Sequence, residues 1–207
     1  MIQDYLRFTV TLVAVLDPFL AIPIFLSVAA AREPAARRRL VHAVTVTVFA
    51  VLAGAALFGE ALLSLIGASL PAFRVGGGLV LLLMALAMLN AQAGGVRQSQ
   101  AEAEELESRD PSGVVPLAVP LLAGPGAIST TILAAQAGGV AHMAGLIACV
   151  AAVCVMLWLV LLAADRIGAK MGRTGLNIAT RLLGLLLAAI AIEMMAGGLK
   201  ALLPGLS

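Results

Sequence analysis

The chain has 207 residues, of which 62% are hydrophobic and only 12% are charged, and its mean hydropathy is +1.09. Soluble domains contain about 45–50% apolar and about 25% charged residues, so this composition excludes a water-soluble globular protein. The net charge of +2 comes without a block of basic residues interleaved with aromatic ones, which argues against a nucleic-acid partner. Few aromatic residues and 21 glycines favour closely packed helices over a membrane β-barrel. The composition therefore predicts an all-α polytopic membrane protein.

Apolar runs separated by charged or Gly/Pro-rich segments predict six membrane-spanning helices, because a bilayer core of about 30 Å requires about 20 apolar residues per helix. The predicted spans are 5–30, 41–66, 73–91, 114–136, 142–164 and 182–203. The first, third and fifth loops contain the basic residues Arg32, Arg37, Arg38, Arg39, Arg97, Arg109, Arg166, Lys170 and Arg173. Since basic loops stay in the cytoplasm, this pattern predicts a multi-pass membrane protein with both termini outside the cytoplasm.

An acidic segment divides the chain near its middle. Residues 98–112 are the only soluble-looking stretch, and they are interpreted as a cytoplasmic linker. The linker separates two predicted three-helix repeats, residues 1–97 and 113–207. A regulatory or cation-attracting loop is the alternative interpretation of the acidic residues.

Two pairs of motifs support this division into repeats. Pro18 and Pro125 lie 107 positions apart, and so do Arg74 and Arg181. Because each half has an odd number of spans, the second half enters the membrane from the opposite side. The sequence therefore predicts the inverted-repeat architecture of many secondary transporters.

The first and fourth spans are predicted to be broken near their middle. Proline removes a helical hydrogen bond and clashes with the preceding turn, and this applies to Pro18 with Pro23 and to Pro125 between Gly124 and Gly126. The freed backbone groups need protein or water as partners, and they can also bind a polar solute. The substrate carboxylate is expected at the second break, where hydroxyls follow the glycines. The predicted substrate-binding residues are Asp17, Pro18, Gly124, Pro125, Gly126, Ser129 and Thr130. Harmless kinks packed against neighbouring helices are the alternative.

Ionisable residues within or at the ends of spans are candidates for proton coupling and gating. They are Asp17, Arg74, Arg181 and Glu193. A charge at the bilayer centre costs at least about 2.5–3.5 kcal/mol on insertion scales, so these residues need a role or a partner. A buried carboxylate either carries a proton or is held ionised by an arginine, and ion pairing that only fixes helix packing is a further alternative.

Other classes of chemistry find less support in the sequence. Cys149 and Cys154 lie on different sides of one predicted helix, so no disulfide is expected. The two histidines lie near span ends without a metal-ligand or nucleophile–base pattern, so neither a metal, nor a cofactor, nor an enzyme is expected. The expected partners are a small-molecule substrate, protons and the lipid bilayer, with a homo-oligomer left open.

Four segments together resemble the MarC family of bacterial and archaeal inner-membrane proteins. They are DPFLAIPIFL (17–26), FRVGGG (73–78), VPLAVPLLAGPGAIST (115–130) and TRLLGLLLAAIA (180–191). The resemblance implies transport of small neutral amino acids and a distant relation to LysE-type exporters. The chain carries Asp17 where the family usually has Asn, and Glu193 where it often has Gln. An exporter of other small solutes or drugs and a non-transporting membrane scaffold are the alternative functions.

Overall fold

A computed structural model describes residues 2–29, 32–90, 122–136 and 138–203. Every regular element in these ranges is an α-helix, which confirms the predicted fold class for this part of the chain. The helices are α1 Ile2–Leu16, α2 Pro18–Ala29, α3 Pro34–Ile66, α4 Leu70–Leu89, α5 Pro125–Ala135, α6 Val140–Leu162 and α7 Ala164–Leu202. The predicted linker, 98–112, and the start of the predicted fourth span lie outside the described residues.

Five helical stretches are long and apolar enough to cross a membrane. They are Ile2–Ala29, Pro34–Ile66, Leu70–Leu89, Ala141–Leu162 and Ala164–Leu202, and Pro125–Ala135 is a shorter apolar helix. Large apolar side chains such as Phe58 and Leu65 lie exposed on the outside of the bundle, as lipid-facing residues do. The described helices therefore fit a polytopic membrane protein. The five long helices overlap five of the predicted spans, and α5 covers only the second half of the predicted span 114–136.

Two predicted loops are in fact helical. Helix α3 begins at Pro34, seven residues before the predicted span, with the proline in the first turn, where its missing N–H costs nothing. Helix α7 includes Arg166, Lys170 and Arg173, which were assigned to a loop, and only Gly172 interrupts it with φ 59°. The loop assignments were wrong because Ala, Arg and Lys are good helix formers and a helix can continue beyond the hydrocarbon core.

The first span is the most central and is broken as predicted. In its apolar stretch 61% of the residues are buried, compared with 22–33% in the other four spans. Helix α1 ends at Leu16 and α2 begins at Pro18, as predicted. The interruption expected at Pro23 is wrong, because Pro23 lies inside α2 without ending it. The break therefore lies in the interior of the protein.

Helices α4 and α7 form the most extensive helix pair and run antiparallel. A Cβ added to Gly184 would lie 2.8 Å from the Cβ of Met88, near the end of α4. A Cβ added to Gly198 would lie 2.7 Å from Cγ2 of Val75 and 2.8 Å from the carbonyl oxygen of Pro71, near its start. Small residues at these positions let the two helix backbones approach closely, as is common in membrane helix packing.

Candidate functional site

The first helix break is built around Asp17, whose side chain is fully buried. Its Oδ1 accepts a hydrogen bond from the backbone N–H of Leu20 at 3.2 Å, so the carboxylate caps the amino end of α2. Pro18 occupies the first helical position, where a proline is favoured. Asp17 has φ 43°, a left-handed conformation that Asp and Asn tolerate better than most residues. The residue types Asp and Pro thus explain the break locally.

A second helix contributes a hydroxyl to this break. Oγ1 of Thr180, in α7, donates to Oδ1 of Asp17 at 3.5 Å, and both residues are buried. Thr180 is not among the predicted site residues. Its only signal was a hydroxyl next to Arg181 in an otherwise apolar segment.

The second predicted break coincides with the start of α5, and residues 91–121 before it lie outside the described ranges. Pro125 is the first helical residue and Gly124 precedes it without a side-chain cap, while the N–H of Ile128 donates to the Gly124 carbonyl at 3.1 Å. Gly126 is buried, and a Cβ on it would lie 2.6 Å from Sδ of Met84. The prolines that begin α2 and α5 are the pair 107 positions apart, and Pro125 itself is exposed.

Two buried hydroxyls lie in the following turn. Oγ of Ser129 donates to the carbonyl of Gly126 at 3.1 Å, and Ser129 lies against α4, where a Cβ on Gly77 would be 3.1 Å from Ser129 Oγ. Oγ1 of Thr130 is buried and has no hydrogen-bond partner among the described residues. Burying a polar group without a hydrogen-bond partner costs about 1–3 kcal/mol of stability. A ligand atom that forms a hydrogen bond with the Thr130 hydroxyl would remove this cost.

The two breaks are connected through the α4–α7 pair. Thr180, which contacts the first break, lies one turn before Gly184, and Gly184 packs against Met88. Met84, one turn before Met88 on α4, packs against Gly126 at the second break. A chain of contacts through α7 and α4 therefore joins the two breaks.

The other predicted coupling residues are not buried in the interior. Arg74 is half-buried and Arg181 is exposed. The Glu193 side chain is 75% exposed, and its Oε1 lies 3.8 Å from Nη1 of Arg7. The position of Glu193 along the predicted span indicates a site deep in the membrane. Its side chain, however, lies on the outer face of α7. Its role in coupling stays a prediction.

Metal chemistry has no candidate residues in the described ranges. Within 2–29, 32–90, 122–136 and 138–203, no group of three or more His, Cys, Asp or Glu residues could hold a metal ion. Cys149 and Cys154 are both free thiols. The polar groups available to a ligand are therefore the carboxylate, the hydroxyls and the helix ends described above.

Comparison with known proteins places the whole described chain in one family. Residues 2–203 match the family described as MarC family integral membrane protein. The chain is 34% identical to the UPF0056 membrane protein YhcE of Escherichia coli K12, over 98% of this chain and 94% of the relative. It is also 34% identical to the UPF0056 membrane protein YvbG of Bacillus subtilis 168, with 96% and 95% covered. No solved structure matches. The chain belongs to the MarC family of integral membrane proteins.

Proposed function

We propose that the protein is a secondary transporter of small neutral amino acids, coupled to protons and operating by alternating access around the two helix breaks. The observation that carries this proposal is the fully buried carboxylate of Asp17 at a break in a membrane-spanning helix. Ionisable groups inside the membrane are costly and mark substrate and proton pathways. The association with amino-acid transport that the family resemblance implies supports the same substrate class.

The two breaks offer opposite charge preferences to a zwitterion. The amino end of α5 carries no side-chain cap, so its free N–H groups and the hydroxyl of Thr130 suit a carboxylate. The amino end of α2 is already capped by the carboxylate of Asp17, which suits an ammonium group instead. A small amino acid would therefore lie with its carboxylate towards Gly124–Thr130 and its ammonium towards Asp17.

Proton coupling would follow from the same carboxylate. An ionised Asp17 binds an ammonium group, whereas a proton neutralises it when the substrate has left. Since Asp17 is fully buried, the described conformation corresponds to a closed state, and transport requires a movement that opens the breaks to each side in turn. Arg74, near the start of α4, and Arg181, near the middle of α7, would act as gates.

Inverted repeats would supply the two-sided access. The helices that begin at Pro18 and Pro125 share the 107-residue offset, and α4 packs antiparallel to its counterpart α7. A pseudo-two-fold axis in the membrane plane would bring the two prolines together near the bilayer centre and place both termini outside the cytoplasm.

The test is transport by the purified protein in proteoliposomes. Uptake and efflux of a panel of labelled amino acids are measured with and without a pH gradient. We expect transport of small neutral amino acids that the gradient accelerates. Transport of drugs or other solutes but no amino acid would favour the alternative exporter, and no transport by folded protein would favour a scaffold.

A further inference from the structure

A cavity outside the proposed transport site opens where α3 begins and α6 ends. Its volume is about 430 Å³, and its polar lining includes Arg37, Arg38 and Asp165. Nη2 of Arg37 lies 3.0 Å from both carboxylate oxygens of Asp165, so these two charges neutralise each other. Arg38 has no acidic partner among the described residues. The cavity therefore carries one net positive charge.

The inner end of this cavity is formed by two rings. Nε1 of Trp158 donates to Nδ1 of His42 at 3.2 Å, and the ring centroids are 5.6 Å apart. Because the indole can only donate, the neutral imidazole carries its hydrogen on Nε2. Tryptophan is enriched at the boundary between lipid headgroups and hydrocarbon, where its ring is in apolar surroundings and its N–H has a polar partner.

An apolar groove continues from the same ring pair along the seam between α3 and α6. Its volume is about 380 Å³, and its lining includes Val46 and Phe49 of α3 and Val155 of α6. The hydroxyl of Thr45 donates to the Val41 carbonyl of its own helix at 2.8 Å, so it does not make the groove polar. From His42 to residue 49 the groove follows about 10 Å of helix, two thirds of the roughly 15 Å of one leaflet.

We propose that this seam binds an anionic phospholipid, with the phosphate at Arg38 and Arg37 and one acyl chain in the groove. The order of charge, ring pair and apolar groove matches that of phosphate, ester region and acyl chain. Basic pockets at the ends of membrane helices bind anionic headgroups. The occupant enters from the bilayer because Val46 and Val155, at the groove's edge, are exposed on a membrane-spanning surface.

Trp158 reports directly on this site, since it is the only tryptophan of the chain. The full-length protein is reconstituted in phosphatidylcholine vesicles that contain increasing fractions of brominated phosphatidylglycerol or brominated phosphatidylcholine. Bromine quenches tryptophan fluorescence on contact, and the measurement needs no transport activity. With one net positive charge, we expect the anionic lipid to bind about fivefold more tightly than the zwitterionic one.

Charge variants test the headgroup. Arg38→Gln removes the unpaired charge, so the anionic and the zwitterionic lipid should then bind about equally tightly. Arg39→Gln makes the same change in the same turn but outside the cavity lining, so it should keep the preference. Equal quenching by both lipids in the unmodified protein, or an unchanged preference in Arg38→Gln, would overturn the proposal. Relief of quenching by added glycerol phosphate would show that the site takes a free phosphate compound instead.

A size variant tests the acyl chain. Val46→Phe fills the groove and should reduce quenching by both brominated lipids, whereas Ala50→Phe, on α3 outside the groove lining, should not. The protein-to-lipid ratio is varied as well. Quenching that disappears as this ratio rises would identify a second copy of the chain as the occupant and contradict the lipid assignment.

Discussion

Replacing Thr180 by valine removes one hydroxyl from the proposed transport site while keeping the side-chain shape. The hydroxyl donates to Oδ1 of Asp17 at 3.5 Å. A hydrogen bond to a charged group contributes about 1.5–3 kcal/mol at good geometry, where O–H···O distances are about 2.5–3.0 Å. Because this contact is longer, we expect Thr180→Val to cost about 1 kcal/mol, which is about a fivefold effect on the step that uses Asp17.

The assay is amino-acid transport in proteoliposomes at several external pH values. If Thr180 positions the carboxylate of Asp17, its loss should lower the transport rate about fivefold and displace the pH profile. Thr180→Ser keeps the hydroxyl and should restore most of the rate and the original profile.

The matched control is Thr11→Val. Thr11 is 8% exposed and Thr180 is 6% exposed, but the Thr11 hydroxyl donates to the Arg7 carbonyl of its own helix at 2.8 Å. Equal losses in Thr11→Val and Thr180→Val would attribute the effect to packing. An unchanged rate and pH profile in Thr180→Val would refute a positioning role for Thr180.

Three further predictions concern the charge, the packing and the topology. Asp17→Asn keeps the cap and the left-handed backbone, so we expect folded protein whose transport has lost its pH dependence. Asp17→Ala loses the cap as well and should destabilise the protein by about 1 kcal/mol or more in thermal unfolding. Gly198→Ala places a Cβ 2.8 Å from a backbone oxygen of α4 and should cost about 1–3 kcal/mol, whereas Gly197→Ala, with no atom within 4 Å, should be neutral or stabilising. Reporters fused within 94–110 and at Ser207 should be cytoplasmic and non-cytoplasmic respectively, and a cytoplasmic Ser207 would contradict the proposed orientation.

The helix breaks were predictable because their causes are local. A proline has no N–H to donate to the preceding turn, so it fits best where a new helix begins. Pro18 and Pro125 therefore indicate helix starts within their apolar runs. The structure begins α2 and α5 at these two residues. Pro23 shows the limit of this argument, since it stays within α2 and is exposed there.

Contacts between helices were not predictable from one sequence. Residue count along a span gives depth but not the face of the helix, and it placed Glu193 in the interior although its side chain meets Arg7 on the surface. The approach of Thr180 to Asp17 joins residues 163 positions apart and depends on how α7 packs against the first break. Such a contact leaves no periodicity or motif in either segment.

The two breaks share a proline at the first position of the helix that follows, but they differ in the backbone before it and in what caps that helix. Gly124 leaves the amino end of α5 open, whereas Asp17 closes the amino end of α2 with its own carboxylate. The family resemblance implies asparagine at this position, and asparagine can accept the same hydrogen bond and tolerates the same left-handed backbone. Having Asp17 there therefore leaves the local fold unchanged and adds one ionisable group to the interior. Relative to the implied asparagine, the difference is thus electrostatic. In the proposed function, it lies where a substrate ammonium and a coupling proton would compete for one carboxylate.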